Sequence, residues 1–196
     1  YLKVLGFFKG KIYFSSSHKS PKNAWNEIFY IDPEGGMPEK LPFGPANDIY
    51  IENNIIILGR NTADPARWKR YRGGTIGQIW VSKDGGKTFK RILENLNGNL
   101  ASPMLMNGRI VFISDHEGIG RIYSCDLDGN DLMVHTDNSD YYARFASTDG
   151  NRIVFQMAGD IYIYDGKLEK LSLDIYGSKK HLQERMIENP LNYLDG

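Results

Sequence analysis

The chain has 196 residues, with 24 Lys+Arg against 24 Asp+Glu, 41% hydrophobic and 12% aromatic residues, and one cysteine. That length supports one substantial core, and the charge balance argues against a nucleic acid or an anionic membrane as partner. The lone Cys125 excludes an internal disulfide and fits a reducing cytoplasm, and neither a signal-peptide pattern nor a run of roughly 18 apolar residues is present.

The elements repeat in one order. An apolar strand at Val4–Phe8 is followed by the Lys9-Gly10 turn, a strand at Lys11–Phe14, a polar loop, a strand at Glu27–Ile31 and a turn at Gly35-Gly36. The second unit has strands at Asp48–Ile51, Ile55–Leu58, Gln78–Val81 and Phe89–Leu93, with turns at Asn53-Asn54 and Asp84-Gly85-Gly86. The third has Pro103–Met106, the Asn107-Gly108 turn, Arg109–Ile113, Arg121–Cys125, the turn Asp126–Gly129 and an outer strand ending at His135. The fourth has Tyr142–Ala146, a turn at Thr148–Asn151, Arg152–Phe155, Asp160–Tyr164, the Asp165-Gly166 turn and Leu168–Leu173. Each run is too short for a helix and rich in β-branched and aromatic residues, and Asn-Gly and Asp-Gly favour tight hairpin turns.

Ile12, Ile55, Ile110 and Ile153 are equivalent, and so are Ile28, Ile79, Ile122 and Ile161. Their spacing of about 40 to 55 residues is the blade period of a β-propeller. The expectation is an all-β propeller of about four blades of four-stranded antiparallel sheet, a partial ring. One domain, 1–196, divides into blades at 1–42, 43–99, 100–136 and 137–176, with a connecting tail at 177–196 in which Leu182 to Ile187 has helical potential. An open arc exposes the faces of its end blades, so the chain is expected to be a segment of something longer, or to associate with copies of itself.

The loops hold what could carry chemistry. His18 among serines suggests a nucleophile and base, without an assignable acid; a solvated loop is the competing reading. The largest insertion, Gly59–Thr75, interleaves Arg67, Lys69, Arg70 and Arg72 with Trp68 and Tyr71. Three readings stand for it: a structural loop whose arginines pair with local acids and carbonyls, a contact for peptide carboxylates at a channel, and a single-stranded nucleic-acid contact, which the neutral charge disfavours. Gly73-Gly74 lacks the Lys-Ser/Thr of a phosphate loop. Asp115-His116-Glu117 has the look of a metal or acid–base cluster, but no second His or Cys stands at ligand spacing; Asp115 is expected to accept backbone hydrogen bonds, with no metal or cofactor. His135 is expected at the surface. Tyr141, Tyr142 and Arg144 lead into an innermost strand and are channel candidates, with packing between blades as the alternative for the tyrosines.

Ser82-Lys-Asp84-Gly-Gly86-Lys-Thr88-Phe89 fits the Asp-box of sialidase-like and sortilin-like propellers. Its Ser82 and Asp84 can satisfy turn amides and Phe89 can anchor the turn, so it supports a propeller rather than a chemistry.

Two further runs are more specific, Gly59-Arg-Asn-Thr62 and Trp68-Lys-Arg-Tyr-Arg-Gly-Gly-Thr75, and Gln78-Ile-Trp80, Ser114-Asp-His-Glu-Gly118, Asp140-Tyr-Tyr-Ala-Arg144 and Gly159-Asp-Ile-Tyr162 follow them in order. Through them, residues 41 to 173 resemble the tricorn protease family, and the first unit does so weakly. The resemblance implies a segment of the N-terminal six-bladed propeller of a cytoplasmic, homohexameric serine peptidase that degrades oligopeptides. In such a protein the propeller acts as a substrate or product channel and assembly scaffold, with peptides and the parent chain's other domains as partners. None of the family's catalytic residues has a counterpart here, and Arg70 and Arg72 do not match its adjacent carboxylate-anchoring arginines. Two other readings remain open: a TolB-like binding propeller without activity, and a sialidase-like glycosidase, which would need paired carboxylates.

Overall fold

In the middle units the second strand carries four consecutive apolar residues, Ile55–Leu58 and Ile110–Ile113, which a sheet tolerates only when both of its faces are covered. A computed structural model describes residues 2–22, 25–136 and 140–174 of the chain. The strands are β1 (Leu2–Phe8), β2 (Lys11–Ser16), β3 (Glu27–Asp32), β4 (Gly35–Lys40), β5 (Asp48–Glu52), β6 (Ile55–Arg60), β7 (Gln78–Ser82) and β8 (Lys90–Ile92). They continue with β9 (Leu100–Met106), β10 (Arg109–Ser114), β11 (Arg121–Cys125), β12 (Met133–Val134), β13 (Arg144–Thr148), β14 (Ile153–Met157), β15 (Asp160–Tyr164) and β16 (Leu168–Lys170). They form four antiparallel four-stranded sheets, each a meander of consecutive strands. This is a β-propeller of four blades, without a helix among the described residues. The tail and its expected helical turns lie outside the described residues.

Turn chemistry sets the hairpins. Lys9-Gly10, Asn107-Gly108 and Ala158-Gly159 have positive φ at both central positions, the backbone that matches the right-handed twist of paired strands. One expected turn is displaced. Gly35 and Gly36 open β4, and the chain reverses at Pro33-Glu34 instead.

Alternation along the second strands builds three seams. Ile56 and Leu58, with Ile49 and Ile51 of β5, face the first blade and pack with its Tyr13 and Ile28. Ile57 points the other way and joins Ile79, Val81 and Ile92 against Leu105, Ile110, Phe112 and Tyr123 of the third blade. Val111 and Ile113 in turn face Ile153, Phe155 and Met157 of the fourth. Cys125 lies in the second seam, where burial pushes its thiol pKa up to about 12 and leaves it an inert small apolar group.

The end blades lack this second cover. Val4 and Phe7 on the first are 64% and 63% exposed, and Val154 and Ile161 on the fourth are 38% and 36% exposed. On the first blade, His18 of the following loop lies over Phe29, with ring centroids 4.7 Å apart, and shields part of that face.

Close backbone approach at the second seam requires Gly77. A Cβ there would lie 2.1 Å from the carbonyl oxygen of Leu100, while at Gly74 it would meet nothing within 4 Å. Gly77→Ala should therefore lower stability by roughly 1–3 kcal/mol, and Gly74→Ala by no more than about 0.5 kcal/mol, as read from urea denaturation midpoints of the two variants.

Candidate functional site

β1 packs on β5, β5 on β9 and β9 on β13, so the innermost strands of all four blades line one central cleft of about 570 Å³. Lys3, Asp48, Asp149 and Thr148 give the cleft polar positions, while Val4, Phe7, Pro103 and Phe145 give it apolar ones.

The ends of this cleft follow from strand direction. β5 begins at Asp48 beside Gly59, and β13 begins at Arg144 beside Gln156. The 61–77 insertion, which leaves β6 after Arg60, therefore lies at the end where the inner strands start. There Thr62 Oγ1 donates to Asp48 Oδ2 at 2.6 Å, and Lys3 Nζ reaches Asp48 Oδ1 at 2.5 Å. Arg144 Nε donates to Asp64 Oδ2 at 2.7 Å. The insertion of the second blade thus spans the third and is tied to the innermost strand of the fourth.

Its anchor is Asp115, which is fully buried. Asp115 Oδ2 accepts from the Arg70 amide at 2.7 Å; Oδ1 accepts from the Asn99 amide at 2.8 Å and from Arg72 Nη1 at 3.0 Å. The second guanidinium nitrogen of Arg72 donates to the Asp115 carbonyl, and Arg70 Nε donates to the Gly118 carbonyl. Arg70 itself has φ +58, a turned-back backbone that aims its amide at the carboxylate. Arg70 and Arg72 are therefore held in structural contacts with a neighbouring acid and carbonyls, as in the first of the three readings.

The other candidate residues divide. Lys69 lies over the ring of Tyr142 at 5.4 Å, and Tyr142 OH donates to the Gly118 carbonyl; burial and the nearby Asp115 charge raise the pKa of this phenol. Trp68 and Tyr71 contact each other with centroids 5.4 Å apart, and Trp68 remains 62% exposed. Arg67 is exposed and Tyr141 is 61% exposed. None of the residues from Arg67 to Arg72 lines the cleft itself; they roof the end at which its strands begin.

The serine–histidine pairs have a structural role. His18 Nδ1 is 3.0 Å from Ser16 Oγ and its ring lies on Phe29; His116 Nδ1 is 3.1 Å from Ser114 Oγ and its ring lies on Tyr123, 4.5 Å away. The same turn occurs in two blades at equivalent positions. Ser16 and Ser114 are buried, so neither hydroxyl is presented to a substrate. Among the described residues no three His, Cys, Asp or Glu side chains come together in a way that could hold a metal ion.

The Asp-box turn closes as its residue types require. Asp84 accepts from the Lys87 and Thr88 amides at 3.0 Å each and from Thr88 Oγ1 at 2.7 Å, and the Ser82 hydroxyl accepts from the Gly86 amide at 2.8 Å. The Thr88 and Ser82 hydroxyls hold the Asp84 carboxyl well below the usual range. Phe89 packs on Phe43, and Gly86 has φ +94 with Phe43 against it. The Gly85 amide bonds to Asn54 of the β5–β6 turn, which places the Asp-box at the end of the blade away from the insertion.

One site escaped the sequence reading. His135, expected at the surface, is partly buried between blades. Its Nδ1 lies 2.9 Å from Tyr164 OH of the fourth blade, its Nε2 lies 2.8 Å from Ser124 Oγ of the third, and Arg109 Nε donates to the same hydroxyl. Burial, and then the Arg109 charge, lower its pKa below the ordinary 6.5.

Two predictions follow from these contacts. Asp115→Ala strands two backbone amides and the Arg72 guanidinium, and should cost roughly 3–5 kcal/mol in urea denaturation. The folded state also holds His135 neutral, so between its depressed folded pKa and 6.5 the unfolded chain binds more protons. The stability due to this histidine is thus complete above pH 6.5 and is lost as the pH falls through the folded pKa. His135→Gln should flatten that slope in a pH series of denaturation midpoints.

Residues 2–170 match the profile of a family described as the tricorn protease N-terminal beta propeller domain. The tricorn protease homolog of Saccharolobus solfataricus is 45% identical over 179 residues, covering 90% of this chain and 17% of that protein. The tricorn protease of Thermoplasma acidophilum is 36% identical over 186 residues, covering 95% of this chain and 17% of that protein. A crystal structure of the tricorn protease superposes with a TM-score of 0.84 at 37% identity, over 91% of this chain and 18% of that one. The chain thus spans about a sixth of the length of the relatives it matches. With its four blades, its strand order and its sequence in agreement, the chain belongs to the family of tricorn protease N-terminal β-propeller domains.

Proposed function

We propose that this chain is a non-catalytic propeller segment of a tricorn-like serine peptidase that degrades oligopeptides, and that its cleft is a passage for peptide substrates or products. The observation that carries the reading is the convergence of all four innermost strands on one open, mixed polar and apolar cleft, roofed at one end by a cationic insertion. An extended peptide fits such a cleft because its backbone finds polar partners and its side chains apolar ones.

The same reading gives the end faces a role in assembly. The exposed apolar positions Val4, Phe7, Val154 and Ile161 are assigned to contacts with further blades of a longer parent chain, itself one subunit of a cytoplasmic hexamer. A TolB-like binding propeller would share this fold, but no contact described here favours it. A sialidase-like site is disfavoured because the Asp-box is a self-satisfied turn at the far end of its blade.

Arg67 and Lys69 are the cations of the insertion not bound to Asp115, and both are exposed. Reversing them together, Arg67→Glu with Lys69→Glu, in the full-length parent should slow cleavage of acidic peptides by roughly three- to tenfold at low ionic strength. The effect should fade with added salt. Unchanged kinetics with acidic peptides in low salt would count against the insertion as a channel mouth.

A further inference from the structure

Three of the four innermost strands carry an extra residue. On β13, Arg144 pairs with Gln156 and Ser147 with Val154, so three steps on the inner strand match two on its neighbour. On β9, Ala101 pairs with Ile113 and Met104 with Val111, and on β1 the register shifts between Val4 and Gly6. β5 pairs one to one. Such bulges re-aim side chains, and here they do so around the cleft.

The bulge on β13 is filled by a residue poorly suited to it. Phe145 has φ +53, a left-handed backbone that costs a bulky side chain roughly 1–3 kcal/mol and glycine almost nothing. Its ring is also 61% exposed, so burial returns little of that cost. The tight turns elsewhere differ, since Lys9, Asn53 and Asn107 take positive φ where hairpin geometry demands it. The ring of Phe145 has a fixed neighbour: the guanidinium carbon of Arg144 lies 4.7 Å from its centroid, and Arg144 is held by Asp64 of the roofing insertion. Phe145 therefore lines the cleft on a strained backbone, beside an ion-paired arginine. Pro103 of the neighbouring β9 lines the same cleft.

We propose that Phe145 is a subsite for an aromatic or large aliphatic side chain of an extended peptide in the cleft, and so a specificity-determining residue. The inference rests on the reading of the cleft as a peptide passage. Its chemistry is aromatic and dispersion contact with the passing side chain.

The test uses the full-length parent and two unstructured peptides of equal length and charge, one bearing phenylalanines where the other bears serines. Phe145→Gly removes the ring and suits φ +53, so the melting temperature should hold or rise. Turnover of the phenylalanine peptide should fall roughly two- to tenfold relative to that of the serine peptide. A fall in melting temperature would overturn the proposal, because the ring would then be packing against another part of the assembled protein. Equal effects on the two peptides, or none on either, would overturn it as well. Ser147→Trp, a bulky plug at an exposed position of the same strand, separates the two levels of the argument. If the plug slows both peptides and Phe145→Gly does not discriminate between them, the subsite is wrong and the passage stands. If the plug slows neither, the passage reading fails, and the subsite with it.

Discussion

A sheet that is apolar on both faces is unstable alone, because each face must be removed from water. The second and third blades meet that demand by standing between neighbours. Ile56 and Leu58 enter one seam and Ile57 enters the next; Ile110 and Phe112 face back, while Val111 and Ile113 face forward. Every other feature depends on this stacking, since it fixes the angle between blades, sets the innermost strands side by side and so creates the cleft. The same logic makes the outer faces of the end blades the place where the demand is unmet.

Onto this apolar frame the chain adds a polar tie. Asp115, fully buried, receives two amides and a guanidinium from segments that precede it by 16 to 45 residues. A buried carboxylate is expensive unless its oxygens are fully engaged, and here each has a charged or amide partner. Together with the Asp64–Arg144 pair it turns the insertion from a loop into a strap across three blades. The positive charges of the insertion thus serve two ends: Arg70 and Arg72 are committed to the fold, and Arg67 and Lys69 are left exposed.

The fold was readable because its signals are local. Asn107-Gly108 and Lys9-Gly10 mark hairpins by their own backbone preferences, and the strand patterns between them repeat four times. Burial is less readable than strand identity. The equivalent residues Ile28, Ile79 and Ile122 are all buried, while Ile161 is exposed, since only the fourth blade lacks a neighbour on that side. The site was read in part. That Asp115 would take backbone donors follows from its place after a strand, but its pairing with Arg72 joins residues 43 apart and is visible only once the blades are stacked. His135 was missed for the same reason, as its partner Tyr164 lies 29 residues away. Gly35 was misplaced because two glycines resemble a turn, and Pro33-Glu34 already supply it.

Each sheet is drawn from a contiguous run of chain, and among the described residues no strand is exchanged between the first blade and the last. Backbone hydrogen bonds of the ladders therefore hold each blade together but do not clasp the ends of the arc to one another. Between blades, cohesion comes from side chains, from the strap, from the linkers and from an isolated backbone bond, the Asn107 amide to the Gly150 carbonyl. A seam loaded at its outer edge can then part without breaking any ladder, and the stiff elements of the molecule are its blades rather than its circumference. The width of the central opening is accordingly a soft coordinate, set by how tightly flat apolar faces are pressed together.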